Sequence, residues 1–338
     1  MNSDISALVR RAANQLREEL SFATIHLPEQ ERFAAIATAM DRCLESLAST
    51  GLAGPDNRLP SSELWNIAGD LLATGWLQNH ARSKPRGYAG DFEMLAWIGD
   101  SRICEHPLGR YFDRYFQTQA APQAVRNRIE VAAAAICSQV RRSVEQGVCR
   151  IVVVGCGPAL DVLQAAQQLT EDERSRMHVT LLDLDPHALA FAHKRLLPVL
   201  SEQQLRLENV NLFRLASKPS HAKLLDQSTL TICTGLFDYL DDSAAVAMLE
   251  AFWRGLQPQG QLLLFNFAQE NPSRAYMEWI GNWYLIYRSR ESLGNLTLMS
   301  DIRADCVTLG SEAQGIGLYL VALKDEPRKG EPNPDCYT

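Results

Sequence analysis

The stretch RIVVVGCGPALDVLQAA, residues 150–166, decides the fold. Ile151, Val152, Val153 and Val154 form an apolar, β-branched run without polar alternation, the pattern of a strand buried on both faces. Residues 159–169 have the apolar spacing of a helix. Strand, glycine turn and helix in that order make a cradle for a nucleotide, because the turn lets backbone approach the ligand and the helix start supplies free N–H groups. The glycines narrow the choice. A dinucleotide fingerprint needs a third glycine where Leu160 stands, and a phosphate loop needs a Gly-Lys-Ser/Thr that does not follow. What stands is Gly155-Cys156-Gly157-Pro158-Ala159. The next strand, in VTLLDLDPHAL (179–189), ends at Asp183, a carboxylate suited to accept two hydrogen bonds from a ribose diol.

Outward from this turn the chain alternates. Strands are expected at 151–155, 178–183, 206–211, 229–234 and 260–267, with helices at 159–169, 187–197 and 242–256. Strands alternating with helices predict a parallel sheet covered on both faces. A helix at 272–287 follows. Two β-rich stretches, 302–309 and 315–323, are then separated by a short polar turn, so they are expected to pair antiparallel at the sheet edge. Residues 1–147 read differently, as helices at 5–22, 29–47, 61–79, 92–98 and 123–144 with Gly, Pro and Asn in the connections. The fold class expected is α/β, a Rossmann-like and mostly parallel sheet with an antiparallel final hairpin and an N-terminal helical extension. The expected domains are a helical cap over 1–147, the nucleotide-binding domain over 148–325, and a loosely held Pro-rich tail over 326–338.

Composition removes several function classes. A net charge of −7 and a pI near 5.6, without Lys/Arg runs interleaved with aromatics, argue against a nucleic-acid partner. The apolar runs are strand-sized and the N-terminus has neither a signal-peptide core nor a membrane-spanning length, so a soluble cytoplasmic protein without a membrane partner is expected. The eight cysteines are scattered without Cys-x-x-Cys, and read as reduced thiols. His187 and His193 are six apart on one predicted helix, the wrong spacing for a shared ligand face, and no metal is expected. A small molecule is the expected partner; oligomeric state is left open.

The turn and the following acid resemble the class I S-adenosylmethionine-dependent methyltransferase family, whose first turn has the form Gly-x-Gly-x-Gly; the resemblance covers residues 150–323. It implies S-adenosylmethionine as cofactor or substrate, with Gly155 and Gly157 admitting the methionine and ribose portions, Cys156 between them, Asp183 on the ribose hydroxyls, and Asn211 and Leu212 beside the adenine. Ala159 departs from the pattern, which prefers glycine there.

In an open α/β sheet, ligands sit beyond the carboxyl ends of the strands. TICTGLFDYLDD (231–242) brings Thr234, Asp238 and Tyr239 there, and LLLFNFAQENP (262–272) brings Asn266. From the helical half, ARSKPRGYAGDFEML (81–95) carries Arg86, Tyr88 and Asp91 on a loop that Pro85, Gly87 and Gly90 keep out of any helix. In SRAYMEWIGNWYLIYRSRESL (273–293), Tyr276, Trp279, Trp283 and Tyr287 fall at helical spacing and read as a core stripe, with Tyr284 and Arg288 on another face.

KPRGYAGDFEML, TGLFDYL and NWYLIYRSRESL together resemble a narrower group, the extracellular-factor type enzymes that make 3-hydroxypalmitic acid methyl ester. They are also similar to the bacterial azetidine-2-carboxylate synthases of secondary metabolism. The first resemblance implies methyl transfer to a small or fatty carboxylic acid or hydroxyl, with Arg86, Arg288 and Asp238 as anchors or base. The second implies that S-adenosylmethionine is cyclised, its own amine attacking the γ-carbon and expelling methylthioadenosine. Cyclisation needs no acceptor, and the large helical half without a readable acyl groove favours it. For that chemistry Asp91 or Asn266 would orient the amine, and Tyr88, Tyr239 or Tyr284 would meet the sulfonium by a cation–π contact. Arg86, Thr234 and Asp238 are assigned to cofactor binding. A non-catalytic S-adenosylmethionine-binding protein is the third reading.

Overall fold

The computed structural model describes residues 3–143 and 147–325. Residues 326–338, expected to form a loose tail, and Cys336 lie outside them.

Seven strands form one sheet in the order β3-β2-β1-β4-β5-β7-β6. They are β1 (Cys149–Val154), β2 (Met177–Asp183), β3 (Leu205–Asn209), β4 (Ser228–Cys233), β5 (Leu256–Phe267), β6 (Val307–Ser311) and β7 (Gly317–Leu323). The first five run parallel, while β7 pairs antiparallel with both β5 and β6. The expected fold class is thus observed, final hairpin included.

The apolar run that opens β1 divides by parity. Ile151 and Val153 join a core with Ala132, Ile136, Val162, Ala165 and Ala192, from α7 (Ala120–Arg142), α8 (Leu160–Gln168) and α10 (Pro186–Leu196). Val152 and Val154 join another with Met248, Leu249, Phe252 and Leu293, from α12 (Asp242–Gly255) and α13 (Arg290–Leu298). A period of two therefore builds both cores, and each buried branched side chain removes about 1.5–3 kcal/mol of apolar surface from water.

Compact packing divides the chain into Met1–Asn127 with Gln269–Leu285, and Arg128–Ala268 with Ile286–Thr338. The division falls inside α7 rather than at the expected 147/148. In the first unit, α1 (Ser3–His26), α2 (Glu29–Ala48), α3 (Arg58–Leu72), α4 (Trp76–Ser83), α5 (Phe92–Gly99) and α6 (Gly109–Thr118) precede the start of α7. The single helix expected over 61–79 is two helices, α3 and α4, separated at 73–75. The expectation missed α6, although Tyr111, Phe112, Tyr115 and Phe116 are all buried on it.

The helix expected over 272–287 is a further correction. One π turn, Tyr276–Ile280, is followed by Asn282 at φ +49°, after which the backbone is extended. Its groups are satisfied within this unit: the Tyr276 hydroxyl donates to Gln78 Oε1 at 2.7 Å, and the Ser61 hydroxyl donates to the Trp279 carbonyl at 2.8 Å. Buried Glu278 accepts from Gly54 N at 2.7 Å, Asn57 Nδ2 at 2.9 Å and Arg274 Nε at 2.8 Å. Tyr276, Trp279 and Trp283 are buried as expected, but by a π turn and an irregular segment after it rather than by a helical stripe.

Trp283 also explains the loop before α5. Gly90 has φ +72°, and a β-carbon there would lie 2.3 Å from Trp283 Cζ2. Gly87 has φ +88° but nothing within 4 Å. Gly90→Ala is expected to cost about 2 kcal/mol or more, because strain and overlap add, whereas Gly87→Ala carries the backbone term of about 1–2 kcal/mol alone. Urea unfolding of the two variants checks the order.

Candidate functional site

Strand order reverses between β1 and β4, the switch point at which doubly wound sheets bind ligands. The glycine turn leaves β1 there. Gly155 and Cys156 donate to the Leu182 carbonyl of β2 at 2.9 and 3.1 Å, so the turn stays attached to the neighbouring strand. Left-handed backbone then recurs at alternate positions: Gly155 at φ +67°, Gly157 at +49° and Ala159 at +49°. Ala159, at the position where the Gly-x-Gly-x-Gly pattern prefers glycine, is therefore itself left-handed. A β-carbon on Gly155 would meet Leu212 Cδ1 at 3.5 Å, an ordinary contact, and Gly155 is half-buried while Cys156, Gly157, Pro158 and Ala159 are buried.

Asp183 closes the arrangement. Its carboxylate accepts from Gly157 N and Asp185 N, each at 2.9 Å, and the Cys156 thiol lies 3.8 Å away. Burial raises its pKa above the ordinary carboxylate range, with those two backbone donors opposing the shift. The Cys156 thiol is held well above its usual value, first by burial and then by the Asp183 charge. Asn211 is exposed and caps the following turn through Phe213 N at 3.0 Å, while Leu212 is buried against Gly155. The structure thus brings Gly155, Cys156, Gly157, Asp183 and Leu212 together.

A second cluster lies after β4 and β5. Thr234 and Tyr239 are half-buried, and Asp238 is buried with its carboxylate accepting from Phe267 N at 2.7 Å. Burial pushes Asp238 up to about 6, against the Phe267 donor and the Arg128 and Arg288 charges. Asn266 is committed: Nδ2 donates to the Phe267 and Ile286 carbonyls at 3.0 and 2.9 Å, and Oδ1 accepts from Arg288 at 2.6 Å. Arg288 also donates to the Phe237 and Leu240 carbonyls at 3.0 and 2.7 Å and to Asp242 at 2.8 Å. It acts as a staple between two loops, which leaves it poorly placed to anchor an acceptor.

The remaining expected residues belong to the helical unit. Asp91 caps α5 through Glu93 N and Met94 N at 3.1 and 3.0 Å, and its other oxygen meets His80 Nε2 at 2.7 Å. Arg86 pairs with Glu93 at 3.1 Å and lies 4.4 Å from the Phe92 ring centroid, with half-buried Tyr88 on the same loop. Ligand atoms of His80, Asp91 and Glu93 lie within 4.8 Å of one another, and these same contacts account for that closeness. The Tyr284 hydroxyl donates to Asn57 Oδ1 at 2.7 Å and is pushed up to about 12, chiefly by burial.

Sequence reasoning missed two charged residues of the sheet unit, Arg128 and Asp161. Asp161 is buried at the start of α8, and burial raises its pKa. Arg128 shares a stripe of α7 with the buried Ala124, Ala132, Ile136 and Val140, and a lone arginine at four-residue spacing on an alanine-rich face was the available signal.

No protein-family model matches the sequence, and no curated protein sequence matches it. Two of the solved structures that span most of the chain have TM-scores above 0.5. A possible exported protein from Bordetella parapertussis is 14% identical, covers 96% of this chain and 100% of its own, and has a TM-score of 0.53. CurJ carbon methyltransferase is 13% identical, covers 96% and 93%, and has a TM-score of 0.53. At such identities the likeness is one of fold, the Rossmann-like methyltransferase sheet with N-terminal helices. Among the described residues, no helix is long and apolar enough to cross a membrane.

Two substitutions probe this geometry. Ala159→Val is expected to lose about 2 kcal/mol or more, since a β-branched residue must enter left-handed backbone at a fully buried site. Ala159→Gly trades that strain against one buried methyl and stays within about 1 kcal/mol. Chemical denaturation distinguishes them.

Asp238 predicts a pH dependence. Its folded pKa lies above its unfolded value near 3.8, so the folded state binds the proton more tightly; the contribution is fully present below pH 4 and lost as pH rises through about 6. Asp238→Asn keeps an acceptor for Phe267 N and removes the titration. The stability of wild type relative to this variant is expected to fall by about 2–3 kcal/mol between pH 4 and pH 7, measured by urea unfolding across that range.

Proposed function

We propose that this chain is an enzyme that uses S-adenosylmethionine. The observation that carries the reading is the alternating left-handed turn at Gly155, Gly157 and Ala159, tied by Gly157 N to the Asp183 carboxylate at 2.9 Å. The residues fit the molecule. Gly155 is half-buried, and Asp183 Oδ1, which accepts one bond from Asp185 N, keeps a lone pair for a ribose hydroxyl, whereas Oδ2 already accepts from Gly157 N and faces the Cys156 thiol. Asn211 and Leu212 border the same turn and are assigned to the adenine.

For the chemistry we favour intramolecular cyclisation to azetidine-2-carboxylate, on the resemblance of KPRGYAGDFEML, TGLFDYL and NWYLIYRSRESL to the azetidine-2-carboxylate synthases. A bond forms between the α-amine nitrogen and the γ-carbon, the γ-carbon–sulfur bond breaks with its electron pair passing to sulfur, and the amine gives up a proton. Methylthioadenosine leaves. The protein's task is positioning and the exclusion of water. Tyr239, after β4 in the sheet unit, is the aromatic candidate for the sulfonium, and Asn266 of the same unit acts through the bonds it already makes. Methyl transfer is the second reading, supported by the activity named for CurJ, whose fold this chain shares.

Incubation of the protein with S-adenosylmethionine alone, followed by mass spectrometry against a protein-free control, separates the readings. Equal amounts of methylthioadenosine and azetidine-2-carboxylate are expected under cyclisation. Release of S-adenosylhomocysteine only when a carboxylic acid is added selects methyl transfer, and tight binding without either product selects a binding protein. Asp183→Ala is expected to weaken S-adenosylmethionine binding about tenfold or more by calorimetry. Unchanged affinity in a folded variant would remove the assignment.

A further inference from the structure

Arg128 and Arg288 are both buried arginines of the sheet unit, 8% and 2% exposed, yet they are treated differently. Arg288 spends its donors on three backbone or amide oxygens and a carboxylate. Arg128 makes no hydrogen bond or ion pair through its guanidinium among the described residues, although a guanidinium offers five donors and its burial is costly without partners. It is not remote from charge. Burial lowers its pKa, while Asp238, Tyr239 and Asp161 pull the other way, so acids surround the group without pairing with it. One terminal nitrogen lies 3.9 Å from where a β-carbon on Gly235 would stand. Gly235 and Asp238 follow β4 and Asp161 begins the helix after the glycine turn, so the guanidinium lies beyond the carboxyl ends of β1 and β4.

We infer that Arg128 binds the carboxylate of the amino-acid portion of S-adenosylmethionine. The inference rests on the proposed use of that molecule and adds the residue that recognises its amino-acid end. Of the groups on S-adenosylmethionine, only the carboxylate is anionic; the sulfonium and ammonium are cationic, the ribose and adenine neutral. An arginine with planar, unused donors suits a carboxylate, which can accept two of them side by side. Asp161 and Asp238, whose charges act on Arg128, suit the cationic groups of the same portion. Arg128 is thus a specificity residue: it selects a nucleoside that carries an intact amino acid over one that has lost it.

Calorimetry with three probes tests this: S-adenosylmethionine, its decarboxylated form, and methylthioadenosine, which lacks the amino acid. Wild-type protein is expected to bind the first about ten- to hundredfold more tightly than the decarboxylated form. Arg128→Met should remove that preference and leave the affinities for the other two probes within about twofold. Arg128→Lys should restore part of it. Equal wild-type affinity for S-adenosylmethionine and its decarboxylated form overturns the inference without any variant, so a variant that fails to fold does not shield it. A folded Arg128→Met that weakens all three probes alike, or none, overturns it too. S-adenosylmethionine binding that ignores Arg128 refutes this inference alone; no binding by wild type refutes the proposed function with it.

Discussion

The Asp183 carboxylate is the constraint on which the ligand-facing end of the sheet depends. It ends β2, yet its two oxygens hold Gly157 N in the turn after β1 and Asp185 N at the start of the following helix, each at 2.9 Å. A buried acid is costly unless its oxygens are satisfied, and here backbone donors satisfy it. The turn is thereby shaped before any ligand arrives, and pre-shaping reduces the ordering cost of binding. Ala159 is held in the same way: left-handed backbone in a residue with a β-carbon persists because the turn around it permits nothing else.

Away from this end the central strands are largely apolar on both faces, with Ser228, Thr229 and Thr231 of β4 as buried exceptions. At it, Asp161, Asp183, Asp238, Arg128 and Arg288 are all buried. Their roles separate by how completely they are bonded. Arg288, fully engaged, fixes the loops after β4 and β5 relative to one another. Asp183 shapes the turn while retaining lone pairs. Arg128, with no hydrogen bond or ion pair from its guanidinium among the described residues, carries a desolvation cost that the nearby acids offset only in part. In the helical unit, by contrast, Glu278 and Asp91 meet a full set of donors, which is the signature of groups that hold a scaffold together.

Most of the sheet was legible because its signals are local. The run at 151–154 is apolar enough to exclude an exposed element, Thr229-Leu230-Thr231-Ile232 alternates at the period of a strand, and the short turn between the last two strands leaves an antiparallel pair as its simplest closure. The helices of the N-terminal half were legible where the apolar period is clean, as in α1 and α2. They were misread where aromatic residues dominate. Tyr276, Trp279 and Trp283 have helical spacing, but spacing reports only that large rings must be buried. They are buried by a π turn and an irregular segment, where Gly90 leaves room for Trp283 and Glu278 holds its buried bonds.

Of the candidate site, residue types and positions in the chain were legible, but their partners were not. The glycines and Asp183 could be assigned from the sequence because backbone conformation and the end of a strand are properties of short segments. By itself the sequence determined the sheet, its antiparallel closure and the place of the glycine turn. Whether a polar side chain is already engaged is decided by residues distant in the chain: Asn57 takes the Tyr284 hydroxyl, and Arg288 takes the Asn266 carbonyl. Only the tertiary structure revealed that Arg128 lies near Asp161 and Asp238 with no guanidinium hydrogen bond among the described residues, because hydrogen-bond satisfaction is a property of the folded neighbourhood and not of any segment.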